Sequence, residues 1–543
     1  MFSSLLKKNR NILTCFLVLV TVNLIFHWPL IRPGFFETDD GSLMLIRAGA
    51  MFNSFYDLHI PARLANNLNY GYGYPIFNFF YPGFFYFSEI FHLLGFGLIS
   101  SVKLSIFCLG VISSVGVFSL SRLISRQNFA SLIPAVFYLT APYKIIDSYK
   151  RGSFGELFAL SFAPFIVFGL ISYFRFNTKF ALPITVISTA LVIIGHNSLS
   201  LILVPAAYLI AIIVEGLSWH NLLVSVKTFC LSLLLSAFFW VPALFERSIT
   251  IQPLIRIANY ADYFPSLTDL LIDFPYVTQF TNPESNSYPI SIFIIISTLF
   301  SIYLFFKDHH NKMWRVKILS ILSIIGTSIF FMTPISSVIW SRFMIEGLFQ
   351  YPWRFLALTT FSGTALIILT ISYYKKINNI ITLIVLVILI TFYLPQIKIR
   401  HNNYTDEYYL TNDSTTVNQS ELHTIWFPVD KTNRTANLIE SEKNIDFVVT
   451  NLEKKTQNIS FNIDLNKPGK ITVNKMYYPG WELSVNDQNS KIEYQSNGLI
   501  NFDLPQGYSK VKITFTETPL RLVANLLSIL GLIIIFSKII FRK

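Results

Sequence analysis

Two short segments of this chain concentrate residues that can do acid–base or anion chemistry. Glu37-Thr38-Asp39-Asp40-Gly41 clusters carboxylates. Tyr143-Lys144-Ile145-Ile146-Asp147-Ser148-Tyr149-Lys150-Arg151-Gly152-Ser153-Phe154-Gly155-Glu156 sets Lys144, Lys150 and Arg151 among Asp147 and Glu156. Carboxylates in a cluster can deprotonate a hydroxyl or hold a divalent cation such as magnesium or manganese. Lys offers a phosphate a point charge, and Arg offers it a bidentate fork. Each segment also has a plainer reading. Asp40 or Ser42 can cap the helical pattern Leu43, Ile46, Arg47, Ala50, Met51, and the cations can pair with Asp147 and Glu156.

Three further groups join the candidates. Asn69-Tyr70-Gly71-Tyr72-Gly73-Tyr74-Pro75 and Asn78-Phe79-Phe80-Tyr81-Pro82 are too rich in Gly and Pro for a simple aromatic belt. They predict a shaped loop lining a cavity, with Tyr74 and Asn78 as substrate contacts. His196-Asn197 closes a span, and one His makes no metal site. Tyr351-Pro352-Trp353-Arg354-Phe355 opens a span from outside, where Arg354 runs against the positive-inside trend and could meet a lipid phosphate. Walker, Cys-x-x-Cys, His-Glu-x-x-His and Gly-x-Ser-x-Gly patterns are all missing. ATP-driven transport by this chain alone is therefore not expected.

The elements that must hold these residues are membrane helices. Of 543 residues, 53% are hydrophobic and only 13% are charged, against about 25% charged in soluble domains. That composition excludes a soluble enzyme, a disordered tail and a nucleic-acid binder with a basic surface. Runs of about 20 apolar residues mark spans near 11–30, 102–121, 129–142, 155–174, 180–196, 199–215, 222–244, 289–306, 317–335, 355–373, 379–395 and 520–540. With these, Lys7/Lys8/Arg10, Arg122/Arg126, Arg175/Lys179, Lys307/Lys312/Arg315/Lys317, Lys375/Lys376 and Arg542/Lys543 all fall on the cytoplasmic side. Counting 82–99 as a span would move every later cluster outside, so it reads as an interfacial or re-entrant helix. Much of the formal charge of +12 is thus an orientation signal. The basic N-terminal segment lacks a small-residue cleavage site and reads as a retained first span.

The opposite side receives a first loop, 31–101, shorter loops at 143–154 and 245–288, and a polar insertion at 396–519. Alternating runs such as Ile459-Ser460-Phe461-Asn462-Ile463 and Val511-Lys512-Ile513-Thr514-Phe515, separated by turn residues, predict a small antiparallel sandwich. The expected organisation is a transmembrane domain over 1–395, an external β-rich domain over 396–519, and a closing helix with a basic cytoplasmic tail over 520–543. Cys15, Cys108 and Cys230 all lie in apolar runs and imply no disulfide framework.

Several of these strings resemble one family. Asp39-Asp40-Gly41, Gly71-Tyr72-Gly73-Tyr74-Pro75 through Tyr81-Pro82, Ala141-Pro142-Tyr143-Lys144, Arg151-Gly152-Ser153-Phe154-Gly155-Glu156 and Gly195-His196-Asn197 are similar to bacterial membrane proteins labelled 6-pyruvoyl-tetrahydropterin synthase-related. Those proteins are grouped with the GT-C glycosyltransferases, multi-span enzymes that use polyprenyl-phosphate sugars. Tyr477-Tyr478-Pro479-Gly480-Trp481 and Leu504-Pro505-Gln506-Gly507 resemble the external β domain of YfhO-like members.

The resemblance implies a polytopic α-helical membrane protein, GT-C-like, of about 12 transmembrane helices, with a C-terminal β-sandwich and a final helix. It implies a multi-pass protein of the bacterial inner membrane, with the N-terminus cytoplasmic and the β domain periplasmic. In that setting Asp39 or Asp40 would be the catalytic base, or both would hold the cation if one is used. The pattern reads Glu-x-Asp-Asp, not Asp-x-Asp. Substrate binding would fall to Glu37, Arg47, Tyr74, Asn78, Lys150, Arg151, Glu156, His196, Asn197 and Arg354. The partners would be membrane lipids, a polyprenyl-phosphate sugar donor and a glycan, lipid or protein acceptor, with no nucleic acid. A transporter or flippase of lipid-linked saccharide, and a non-catalytic envelope assembly protein, are the competing readings.

Overall fold

A computed structural model describes residues 2–255, 258–271, 288–308, 310–414, 420–428 and 437–541. Arg542 and Lys543 lie outside the described residues, as do parts of the 245–288 and 396–519 segments. Hydrophobic runs become helices because a buried backbone must satisfy its own hydrogen bonds. Among the described residues, seven helices are long and apolar enough to cross a membrane, and an eighth joins them if a bent pair is one span. Leu98–Ser125 and Phe154–Phe176 are two of the seven, and Pro519–Ser537 is another. Arg10–Phe26, Ala181–Gly195 and Ile292–Lys307 are shorter apolar helices.

Two of the expected segments differ in form. The run expected at 129–142 is a helix only from Leu132 to Thr140, nine residues. At about 1.5 Å per residue it is much shorter than a hydrocarbon core of about 30 Å, and Pro142 starts a separate turn. The run at 222–244 is broken at Ser236 into Trp219–Leu235 and Ala237–Phe245, bent by 75°. The bend frees backbone groups that the final helix recovers. Ser528 Oγ accepts from the Phe238 amide at 2.8 Å and donates to the Leu234 carbonyl at 3.3 Å. The 82–99 region forms a helix over Gly83–Leu93, and its length of about 16 Å falls short of a crossing.

The C-terminal region is β-rich. A two-residue pairing joins β1 (Phe35–Phe36) of the first loop to β2 (His401–Asn402). There follow β3 (Ile439–Ser441), β4 (Phe447–Lys454), β5 (Asn458–Leu465), β6 (Gly469–Met476), β7 (Trp481–Val485), β8 (Gln488–Ser490), β9 (Leu499–Leu504) and β10 (Gly507–Phe515). They make a five-stranded sheet, β4-β5-β10-β7-β8, and a three-stranded sheet, β3-β6-β9. Alternate residues point inward as the sequence pattern requires: Ile459, Phe461, Ile463 and Leu465 of β5, and Val511, Ile513 and Phe515 of β10, are buried.

This β-rich region clamps the first loop. The Met476 amide donates to the Tyr72 carbonyl at 2.9 Å. Lys475 Nζ donates to the Asn66 carbonyl at 2.7 Å, and His423 Nε2 meets Asn69 Oδ1 at 3.0 Å. Asn69, Tyr70, Gly71 and Gly73 all have positive φ, which explains the Gly-rich composition of that stretch. Asp406, in the same C-terminal part, caps Leu98–Ser125 by accepting from the Leu98 and Ile99 amides at 2.9 Å each.

Candidate functional site

The acidic and basic segments meet through their backbones. The Asp39 amide donates to the Lys150 carbonyl at 2.8 Å, and the Asp40 amide donates to the Arg151 carbonyl at 2.7 Å. The closeness depends on glycine. Gly152 has φ +69°, and a Cβ there would lie 2.6 Å from the Gly41 nitrogen. Thr38 Oγ1 accepts from the Gly41 amide at 2.8 Å and fixes the turn. Asp40 precedes the helix Gly41–Tyr56, yet its side chain makes no capping hydrogen bond. Its carboxylate is therefore not used up as a cap.

Behind this junction sits a buried ion cluster centred on Glu156. Arg151 binds it bidentately, Nη1 to Oε2 and Nη2 to Oε1, both at 3.0 Å. Arg354 Nε donates to Oε1 at 3.3 Å, and the Tyr143 hydroxyl donates to Oε2. Asp147 Oδ1 accepts from Arg151 Nη1 at 2.6 Å, while its Oδ2 is buried without a hydrogen-bond partner among the described residues. Burial and the neighbouring Glu156 push the Asp147 carboxyl well above its usual range, against the pull of Arg151. Ion pairing thus accounts for Arg151, as the plainer reading of that segment expects. His196 Nδ1 accepts from the Leu199 amide at 3.2 Å, which leaves Nε2 to carry the proton, 3.5 Å from Glu156 Oε1. Burial lowers the His196 pKa to about 3 in spite of Glu156, so the ring is neutral.

In front of the cluster lies a cavity of about 590 Å³. Asp40, Arg47, Arg151, His196, Asn197 and Arg354 line its polar part. Arg354 Nη1 is held by the Phe349 carbonyl at 2.8 Å and Gln350 Oε1 at 2.9 Å. The Arg47 guanidinium lies over the Phe80 ring at 4.0 Å, and Arg151 over Trp353 at 4.1 Å. The other wall is apolar: Leu201, Val204 and Pro205 face Phe229, Leu233 and Trp240 across the two halves of the bent pair. Leu201 and Phe229 are 50% and 37% exposed, so this wall runs out to the apolar surface of the helices. Such a cavity can take a molecule with an anionic head and a hydrocarbon tail.

Other candidates from the sequence stand elsewhere. Glu37 is exposed, and its amide donates to the Arg400 carbonyl at 2.8 Å beside the β1–β2 pairing. Tyr74 is buried against Ala65. Asn78 belongs to a closed network under the β-rich region, where its Nδ2 donates to Glu246 Oε2 and to the Tyr478 hydroxyl, each at 2.8 Å. Glu246 also accepts from Arg521 Nε at 3.0 Å. Neither Tyr74 nor Asn78 lines the cavity, although their neighbours Phe79, Phe80 and Tyr81 do. Lys144 turns away to Ser113 Oγ at 2.6 Å, and Lys150 Nζ lies 5.9 Å from the Tyr288 ring centroid. Partial burial raises the Asp39 carboxyl above its usual range, with Lys150 opposing, Asp40 adding and Arg151 opposing.

Two charged cavity residues were not anticipated. Arg247 follows the bent pair, and its Nε donates to Gln252 Oε1 at 3.2 Å. An Arg at that end of a span was the same topological signal that marked Arg354. Glu421 arrives from the segment leading into the β-rich region, and nothing in the local sequence marks it. Among the described residues, no group of three or more His, Cys, Asp or Glu side chains is placed to hold a metal ion.

No protein-family model matches the chain, and no curated protein matches it. Among solved structures, the chain is similar to the arabinofuranosyltransferase AftD from Mycobacteria, with 14% identity and a TM-score of 0.43 over 71% of this chain and 26% of that one. It is also similar to the Archaeoglobus fulgidus oligosaccharyltransferase, with 11% identity and a TM-score of 0.38 over 74% of this chain and 56% of that one. The chain thus spans about a quarter of the length of the first and just over half of the second.

Proposed function

We propose that this chain is a membrane glycosyltransferase, GT-C-like, that moves a sugar from a polyprenyl-phosphate donor to a cell-envelope acceptor. The observation that carries the reading is the carboxylate of Asp40, which makes no capping hydrogen bond, in a cavity with one cationic and one apolar wall. The apolar wall suits a polyprenyl tail, and Arg354 with Arg47 suits the phosphate. In the step, the acceptor oxygen bonds to the anomeric carbon as the carbon–oxygen bond to phosphate breaks. Asp40 takes the hydroxyl proton, and the lipid phosphate leaves with the bond's electron pair. The arginines stabilise the charge that gathers on that phosphate. The ion cluster behind them fixes Arg151 and Arg354 before substrate arrives, so little reorganisation accompanies reaction.

The basic clusters Arg122/Arg126 and Arg175 end their helices away from the cavity loops. That distribution supports a cytoplasmic N-terminus and an external cavity in a bacterial inner membrane. The resemblance to the 6-pyruvoyl-tetrahydropterin synthase-related proteins points the same way. The test is sugar transfer from a lipid-linked donor by purified Asp40→Asn and Asp39→Asn proteins. Asp40→Asn is expected to lose roughly 100- to 10,000-fold in rate, and Asp39→Asn only a few-fold. Full activity in both removes the proposed role of this loop, and the reverse order moves the base to Asp39.

A further inference from the structure

Lys312–Phe331 and Pro352–Tyr373, both long and apolar enough to cross a membrane, are joined by an irregular segment at the cavity end of the protein. It holds two short helices, Ser337–Arg342 of six residues and Glu346–Phe349 of four. At about 1.5 Å per residue neither can cross a hydrocarbon core of about 30 Å. The charged residues over 334–348 are Arg342 and Glu346. Ile335, Val338, Phe343 and Met344 are 79%, 74%, 71% and 76% exposed, and Leu348 is 51% exposed. Single exposed apolar residues are ordinary on a protein surface, but this many large ones in so short a stretch mark an interaction face.

The other side of the segment is firmly seated. Trp340 is fully buried, and its Nε1 donates to the Phe331 carbonyl at 3.1 Å. Its ring stacks on Tyr260 with centroids 5.4 Å apart. The middle of the segment is thus tied to the last turn of the preceding span, and buried Phe349 holds its far end. Between the two short helices Met344 takes a left-handed φ of +47°, which is uncommon without glycine. That turn leaves Phe343 and Met344 on the outside together. The apolar face is therefore presented by a fixed backbone and does not come from a loose loop.

We propose that 334–348 is embedded in the lipid monolayer on the cavity side of the membrane and forms one lip of the cavity. Lipid is the occupant of this face because the face continues a surface that already meets lipid. The segment starts where one span ends, stops where the next begins, and is held at that level by the Trp340–Phe331 bond. Arg342 is exposed among the apolar side chains, and a long cationic side chain there lays its stem along the acyl chains and its head among the lipid headgroups. Gly347 and Leu348 also line the cavity, as does Leu244 of the bent pair, and all three are exposed. A hydrocarbon tail in the cavity therefore meets bilayer at the open side. The proposal needs only that the chain spans a membrane, and not that the cavity transfers a sugar.

The test uses the full chain in phosphatidylcholine nanodiscs with a bimane fluorophore on a single introduced cysteine. The background is Cys230→Ser, because Cys230 is exposed. Val338→Cys, Phe343→Cys, Met344→Cys and Leu348→Cys are compared with two reference positions of similar exposure. Leu319→Cys, on Lys312–Phe331, is the lipid reference, and Val448→Cys, on β4, is the water reference; these residues are 55% and 64% exposed. Labels on 334–348 are expected to be quenched by phosphatidylcholine carrying a nitroxide high on its acyl chain, as strongly as Leu319→Cys or more so. Aqueous iodide is expected to quench them roughly threefold or more weakly than Val448→Cys. Iodide quenching equal to that of Val448→Cys overturns the proposal, because the face is then in water. Protection from both quenchers also overturns it, because a second copy or another protein then covers the face. Leu348→Cys behaving as the water reference while the others behave as lipid overturns the lip. Sugar transfer is not read, so an inactive protein with these quenching patterns would sink the transferase reading and leave this inference standing.

Discussion

Arg151 and Glu156 face each other as two forks, with both nitrogen–oxygen distances at 3.0 Å and Glu156 fully buried. A bidentate pair sealed from water is costly to assemble and much costlier to break. Removing one partner strands the other charge where nothing can solvate it. Here loss of Glu156 would strand Arg354, which shares the same carboxylate, and leave Arg151 only Asp147. The pair also orients Arg354, so the cluster is both a structural tie and the back wall of the cavity.

Glu156→Gln keeps the shape and removes the charge. It is expected to destabilise the protein by about 3–5 kcal/mol, read as a lower midpoint of thermal unfolding in detergent. A loss under about 1 kcal/mol would mean that these charges are solvated in the folded protein.

Gly152→Ala tests the junction of the two loops. At φ +69° a side chain is strained, and its Cβ would stand 2.6 Å from the Gly41 nitrogen. Gly95 provides the control, since it ends its helix at a φ of +94° but nothing lies within 4 Å of its added Cβ. Gly95→Ala should cost about 1 kcal/mol from backbone strain alone. Gly152→Ala should cost roughly twice that or more, with reduced sugar transfer because Asp40 shifts. Equal effects in unfolding experiments would show that the loops do not need their close approach.

His196 gives a pH dependence. Its folded pKa of about 3 lies below the usual 6.5, so the unfolded chain takes up a proton first as pH falls. Its contribution to stability is therefore complete above about pH 6.5 and is lost progressively below that. His196→Asn supplies another acceptor for the Leu199 amide and no titrating ring. The slope of unfolding midpoint against pH between 6.5 and 4.5 is expected to be shallower in this variant. An unchanged slope would assign the acid sensitivity to other groups.

Local sequence determined a great deal. Apolar run length located the seven long apolar helices, and period-two alternation located β5 and β10 with the correct inward faces. The unusual placement of Arg354 and the acidic Asp39-Asp40 pair picked out two residues of the cavity's polar part, Arg354 and Asp40. These features depend on neighbouring residues and on the contrast between lipid and water, which any single segment experiences by itself.

Tertiary structure decided the rest. Whether Arg151 serves a ligand or an ion pair depended on Glu156 and Asp147 turning toward it. Asn78 left the cavity for Glu246 and Tyr478, residues remote in sequence. Glu421 entered the cavity from a segment with no local signature. Run length also overstated 129–142, where Pro142 and the following turn stopped the helix early. The physical reason is common to the first three. Sequence fixes what a residue can do, but a buried charge or amide takes whichever partner packing brings within hydrogen-bond reach. For Asn78 the partners are Glu246 and Tyr478, brought in by the packing of distant segments on the first loop, whereas Arg151 finds its partners in its own segment, four and five residues away.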